Sequence, residues 1–452
     1  MLMQQIADYA IKEQTSKLPA EVLHHAKRAV IDWYAAMLPG SIVAPATLLE
    51  LAFADDLDRG KARLARGRRA TTRTAALING AASHSVEFDD IYRDAGYHPG
   101  SPTISAALAA AQSSGASGER FLRAVIVGYE ISTRIGEAVM PSHYRFWHTT
   151  GTVGAFGAAA SAATALNLNR EQFMHAVATV GTFAAGLKQA FLSQAMSKPL
   201  HGGHAADAGV LAAMAASKGV TGALDIIEGK EGFGAAMSVN PDWSKVTKGL
   251  GTDYHINHMT FKAHGCCGHT FPSIDGALHL VQQHKLLPQN IKKITLATYK
   301  AGLDIIDNAT PEGEYQAKFS LQYTVAHAVV YGSVRLNAFL PERMSDPAVR
   351  EMMKKVVCVA DPVFSAGYPG QRASQVDIET TDGRKLSHFQ PYRKGDPEQP
   401  LTDDELNAKF MELAEPVLGS AGSKRLLEQL WMLDKLPTAE FEILSEDVRA
   451  AG

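Results

Sequence analysis

Five short stretches of this chain carry side chains whose types and spacing could do chemistry. The densest reads Ala195-Met-Ser-Lys-Pro-Leu-His-Gly-Gly-His-Ala-Ala-Asp207: Lys198 precedes a proline, and His201 and His204 flank a Gly-Gly pair. The small-residue run 205–216 then reads as a helix, so titratable groups gather where a helix N-terminus favours anions. A second stretch, His84-Ser-Val-Glu-Phe-Asp-Asp90 with His98-Pro-Gly downstream, sets three carboxylates around Phe88. Glu87 and Asp90, three apart, would share a helix face. Mutual repulsion and burial would raise the pKa of one of these carboxyls. In Tyr144-Arg-Phe-Trp-His-Thr-Thr-Gly151, His148 lies just before a Gly/Ala run. Thr149 or Thr150 offers the N-cap there. A histidine held at that point serves as acid or base near neutral pH.

The fourth stretch, Phe261-Lys-Ala-His-Gly-Cys-Cys-Gly-His269, puts Lys262, His264 and His269 in a Gly-rich loop at a domain junction. Clefts at such junctions commonly hold ligands. Lys318-Phe-Ser-Leu-Gln-Tyr323 is the fifth and weakest, with Tyr323 equally suited to packing. The set contains no Walker loop, no GxGxxG after a strand, no SxxK motif and no nucleophile elbow. It lacks compact HxxxH-type spacing, so no metal is expected. Lysines of this kind would bind the carboxylates of a small polyanion. A histidine or carboxylate would remove a proton α to a carboxylate, and a second group would protonate a leaving hydroxyl. Each acid–base contribution is worth roughly 10²- to 10⁴-fold in rate. Dehydration and epimerisation begin with the same deprotonation, and the residues leave both open, along with simple carboxylate binding.

The elements that must position these groups follow from periodicity. With 452 residues, two domains are expected. Residues 1–40 read as two helices, the second over 21–37. Residues 44–70 read as helical and then strongly basic. From Thr71 onward Ala and Gly become dense, as in helices packed closely in a bundle. Ser101-Pro102 reads as an N-cap with a first-turn proline. Asn169 and Gln172 have capping-box spacing. No strand is expected before residue 255, so 1–257 reads as all-helical. The period then changes: Lys293-Ile-Thr-Leu-Ala-Thr-Tyr299 alternates as a strand, and 374–380 and 384–389 flank Thr381-Asp382-Gly383 as a hairpin. Residues 320–331 and 347–355 look helical. Residues 258–397 thus form a smaller α+β domain, and the helices expected over 403–418 and 423–432 return the chain to the first domain, 398–452.

A hydrophobic fraction of 46% and a net charge of −3 give no reason to expect nucleic-acid or membrane partners. No apolar run approaches the ~20 residues of a membrane helix. Three cysteines, Cys266, Cys267 and Cys358, exclude a disulfide framework, fit a reducing cytoplasm and lack iron–sulfur ligand spacing.

Together these motifs resemble the MmgE/PrpD family, which includes 2-methylcitrate dehydratase, cis-aconitate decarboxylase and iminodisuccinate epimerase. The resemblance spans nearly the whole chain. It rests on 84–90 with His98-Pro99, His148-Thr-Thr-Gly, Ser197-Lys-Pro-Leu-His201-Gly with Ala205-Ala206, and Gly219-Val-Thr-Gly-Ala223 leading to Glu228-Gly-Lys-Glu-Gly-Phe233. Phe261-Lys262 with Cys-Cys-Gly-His269, and Phe319-Ser-Leu-Gln-Tyr323, complete it. The resemblance implies a large helical domain built from both chain ends, an inserted α+β lid and a cytoplasmic homodimer. It also implies catalysis without metal or cofactor on a small di- or tricarboxylate. Its site residues fall on Glu87, Ile91, His98, His148, Lys198, Lys262, Cys267 and Tyr323. We assign His98, His148, Lys198 and Glu87 to catalysis, and Lys262, His201, Tyr323, Cys267 and His269 to substrate binding. Glu87 stands where an Asp is usual, Ile91 replaces a Thr and Cys267 replaces a His. The expected reaction is dehydration of a 2-hydroxy acid such as 2-methylcitrate.

Overall fold

The structure is a computed structural model that describes residues 1–193, 195–368, 370–441 and 443. The expected domain segment 398–452 therefore ends in residues, 442 and 444–452, that lie outside the described ones. The chain is mainly helical and divides into two units. One takes Met1–Phe261 together with the chain from Thr402 on; the other is Lys262–Leu401.

The helical unit is built around Thr149–Ala165, whose side chains are buried along its whole length. A helix with no polar face belongs inside a core. Gly100–Ser114, Gly118–Val139 and Ser197–Ala216 pack around it. The Ser197–Ala216 helix begins at Ser197 rather than at 205, so Lys198, His201 and His204 sit on a helix and not in a loop before one. Gly202 and Gly203 each cost about 1 kcal/mol in a helix interior. A Cβ at Gly202 would lie 2.0 Å from Ser101 Oγ, and one at Gly203 would lie 2.3 Å from Leu77 O. The two glycines let this helix touch the backbones of its neighbours, and that contact outweighs local propensity.

Other local expectations are corrected by tertiary contacts. Residues 84–90 are not helical. After Thr72–Ser83 the chain turns, and Glu87 takes a left-handed φ of 62°. Glu87 and Asp90 therefore share no helix face. Leu57–Arg63 and Arg69–Ala70 form a small antiparallel pair, so strand does occur before residue 255. Its inward residues are few and its charged ones exposed, which hid the alternation. Neither predicted hydroxyl cap forms at the two helices nearest the site. Pro99 and His148 occupy the N-cap positions, while Ser101 Oγ donates to Gly80 O and Thr149 Oγ1 to Gly96 O. The Asn169–Gln172 capping box is present.

Asp403–Trp431 closes the helical unit, kinked at Gly419 into the two expected segments. From it Lys409 reaches inward, fully buried, and its Nζ donates to Asp32 Oδ1 at 2.6 Å and to Phe88 O at 2.9 Å. The last helix thereby holds the backbone of the 84–90 turn.

In the second unit, four strands run in the order Val356–Ala360, Ile291–Thr298, Ser374–Thr380, Lys385–Gln390. The first pair is parallel and the others antiparallel. Thr381-Asp382-Gly383 turns the last hairpin, as expected. Ile294, Leu296, Val376 and Ile378 share one core with Ile274, Ala277 and Leu280 of the Phe271–His284 helix.

Replacing Lys409 with Met leaves Asp32 charged and buried without its ammonium partner. Removing one member of such a pair typically costs about 3–5 kcal/mol. Urea unfolding of Lys409→Met is expected to show a loss of that size; a loss within error of zero contradicts the role given to the pair.

Candidate active site

The helical unit gathers residues from five of its segments into one cluster, with His84, Asp89, His148 and Lys198 buried and His98, Phe191 and His201 half-buried. His84 leaves the end of Thr72–Ser83, and its Nδ1 lies 2.6 Å from Asp89 Oδ2. His98 Nδ1 approaches the same oxygen at 3.2 Å, within ion-pair range but without hydrogen-bond alignment. The His84 ring stacks on His148, with centroids 5.4 Å apart and planes 19° apart. His148 Nδ1 in turn sits 3.0 Å from His201 Nδ1. Phe191 closes the side, edge-on to His148 at 4.8 Å, and Lys198 Nζ lies 5.8 Å from the centre of its ring. Lys198 is ion-paired with Glu87. A non-glycine residue in the left-handed region costs about 1–3 kcal/mol, and the buried ion pair accompanies Glu87 in that conformation.

Burial sets the protonation states. It lowers the pKa of His84 to about 4, with Asp89 opposing the shift and Lys198 adding to it. It lowers that of His148 well below the usual histidine range, helped by His84 and Lys198. His201 falls to about 4 through burial and then through Lys198. All three are neutral imidazoles at pH 7. In the His148–His201 contact one Nδ1 carries the proton and the other accepts it. His84 Nδ1–H donates to the Asp89 carboxylate, which leaves a lone pair on Nε2. That Nε2 is buried and has no hydrogen-bond partner.

Asp90 behaves in the opposite sense. Burial first, and then Asp32, raises its pKa to about 8, against donation from Tyr129 Oη at 2.7 Å and Gly100 N at 3.0 Å. A Cβ at Gly100 would stand 2.8 Å from Asp90 Oδ1, so only glycine admits this approach. Asp90 is thus a neutral prop under the turn that carries Glu87 and Asp89.

His84, Asp89 and His98 are also the residues that could hold a metal, since one ligand atom from each lies within 4.8 Å of the others. Two ligands on one zinc at ~2.1 Å stand roughly 3.4 Å apart in a tetrahedron. The 2.6 Å between His84 and Asp89 is shorter. The arrangement is that of a shared proton.

The chain matches the model of the MmgE/PrpD N-terminal domain over residues 4–246 and that of the MmgE/PrpD C-terminal domain over residues 264–435. The chain belongs to the MmgE/PrpD family. A cis-aconitate decarboxylase-like protein, oryM, of Aspergillus oryzae is 28% identical, covering 95% of this chain and 94% of its own. Human cis-aconitate decarboxylase is 28% identical over 76% of this chain and 72% of its own. The 2-methylcitrate dehydratase of Salmonella typhimurium is 29% identical over 26% of each chain.

Of the residues singled out from sequence, this MmgE/PrpD chain brings Glu87, His98, His148, Lys198 and His201 together. His204 is exposed, on the outer side of the same helix. Ile91 pairs through its backbone with Thr260. Lys262, His264, Cys267, His269 and Tyr323 belong to the second unit. There Lys262 is buried, His264 Nε2 lies 2.9 Å from Asp275 Oδ1, and the Cys267 amide donates to Lys318 O. Tyr323 is in the hydrophobic core with its hydroxyl donating to Ala338 O. Sequence reasoning did not assign His84, Phe191 or Tyr129 to the site. His84 headed a cluster already noted; Phe191, in a single short turn, and Tyr129, inside a long helix, carried no signal.

Asp90 yields a pH test. Its folded pKa lies above the unfolded value near 3.8, so its stabilising contribution is complete below that value and is lost as pH rises through about 8. Asp90→Asn copies the neutral form. Urea unfolding between pH 6 and 9 is expected to show the parent losing stability relative to Asp90→Asn as pH rises. A difference that does not change with pH would remove the assignment.

Proposed function

We propose that the chain is a lyase for small di- or tricarboxylates, working by proton transfer among its own side chains and dehydrating a 2-hydroxy acid such as 2-methylcitrate. The observation that carries the reading is the cluster of buried neutral imidazoles beside a buried ammonium. Neutral imidazole is the form that removes a proton, and burial strengthens every charge interaction around it. His148, or His84 through its open Nε2, takes the proton α to a carboxylate. Lys198 exchanges Glu87 for a substrate carboxylate and stabilises the enolate as it forms; one such donor is worth roughly 3 kcal/mol. His98, the more exposed imidazole on Asp89, returns a proton to the departing hydroxyl.

Decarboxylation is the second reading. The cis-aconitate decarboxylases align over most of the chain, whereas the dehydratase aligns over about a quarter. The same ammonium would stabilise the carbanion left by carbon dioxide, and a histidine would protonate it. Incubation with 2-methylcitrate and with cis-aconitate separates the two: a new double-bond absorbance marks the first, carbon dioxide release the second. Turnover of neither, by folded protein, would contradict both.

His148→Ala and Lys198→Ala are each expected to lose at least ~10²-fold in turnover. Near-normal rates in both would remove the site assignment. The reaction is proposed to need no metal. Dialysis against a chelator is expected to leave turnover unchanged, and recovery only on adding a divalent ion would overturn that point.

A further inference from the structure

The second unit holds a cation that its surroundings leave unanswered. Arg372 precedes the Ser374–Thr380 strand, and its Nη1 is buried with no hydrogen-bond partner. Among the described residues no carboxylate or carbonyl reaches it. Its guanidinium carbon lies 5.5 Å from the centre of the Tyr368 ring. Tyr368 stacks on Tyr299 at 4.9 Å and 14°, and Tyr299 Oη lies 2.6 Å from His269 Nδ1. Arg372 as a whole is half-buried; Arg393, fully buried, presents the opposite case. Its Nε and Nη2 bind both oxygens of Asp396 at 2.9 and 2.6 Å, and its Nη1 faces Gly268 O at 3.4 Å.

Proteins rarely bury a guanidinium without an acceptor, because desolvation is then uncompensated. Burial, followed by the charge of Arg393, weakens the hold of Arg372 on its proton, with Tyr299, Tyr368 and Asp396 opposing. His269 gives the second donor. Burial, then Arg372 and Arg393, lowers its pKa to about 3, so the ring is neutral. Burial keeps the Tyr299 phenol protonated, and the phenol donates to Nδ1. In the tautomer with the phenol as donor, the His269 proton sits on Nε2.

We propose that Arg372 and His269 form an oxyanion-binding site, taking the carboxylate or phosphate of a small molecule, with Tyr368 and Tyr299 as its aromatic wall. The guanidinium fork supplies paired, in-plane donors, and the flat Tyr368 face fixes the plane. The imidazole Nε2–H adds a neutral donor. Asp396 is hydrogen-bonded to Arg393 and favours the Arg372 charge only at a distance. The site stands on residues of the second unit alone, and it takes His269, which the sequence assigns to the lyase substrate.

Calorimetric titration of the full chain with malonate and with inorganic phosphate tests the site directly. The background is Lys198→Met, which removes the cluster ammonium; its turnover, read separately, judges the lyase reading. Saturable binding is expected there, and adding Arg372→Met is expected to weaken it at least tenfold. Tighter malonate identifies a carboxylate ligand, tighter phosphate a phosphorylated one. Without anion, Arg372→Met should melt no lower than its parent, since the half-buried Arg372 has no protein acceptor for its buried Nη1. If Arg372→Met does not fold, Arg372→Lys decides, with affinity expected to fall several-fold. Unchanged affinity in either variant, or no binding of either anion in the Lys198→Met background, overturns the proposal.

Discussion

Exclusion of water from the imidazoles is the constraint on which the catalytic cluster depends. In bulk water a histidine is partly protonated near neutral pH, and a protonated imidazole is not a base. Here His84 and His148 are buried and His201 is half-buried, so burial and the Lys198 ammonium penalise the charged form of each ring, against Asp89 at His84. Lys198 keeps its place because Glu87 pairs with it. The acidic turn keeps its shape because Asp90 is neutral and Lys409 grips the Phe88 carbonyl. Among the buried polar atoms without a hydrogen-bond partner are His84 Nε2 in the helical unit and Arg372 Nη1 in the second.

That dryness requires backbones in near contact. The cluster draws on the 84–90 turn, on His98 just before the Gly100–Ser114 helix, on the N-cap of Thr149–Ala165 and on the first turns of Ser197–Ala216. Larger residues at Gly202 or Gly203 would push the last helix away from Ser101 and Leu77, and Lys198 and His201 would move with it. The Ala/Gly richness after Thr71 therefore has a purpose beyond filling a core. It sets the spacing at which side chains from separate helices share protons.

Much of this was legible in the sequence because it is local. The Thr-Asp-Gly hairpin, the Asn169 capping box and the switch from helical to strand period each sit within a few residues of one another. Glu87, His98, His148, Lys198 and His201 stood out because titratable groups beside Gly, Pro or hydroxyl residues are unusual in packed helices. What stayed hidden depends on distant partners. Lys409 reaches Phe88 from 321 positions away. The left-handed φ of Glu87 follows from contacts to its side chain and its neighbours, not from its own preference. The early start of the Ser197–Ala216 helix likewise rests on tertiary contact that overrides two glycines. The ring stack joining His84 to His148 has no counterpart in spacing along the chain.

Nitrogen-15 spectra of the histidine side chains read the protonation of the cluster directly. Resonances assigned through His84→Asn, His148→Asn and His201→Asn should report neutral imidazoles for all three from pH 7 down to pH 5, with the His84 proton on Nδ1. Titration of these rings near the ordinary histidine value of about 6.5 would mean that water reaches the cluster, and would contradict the account.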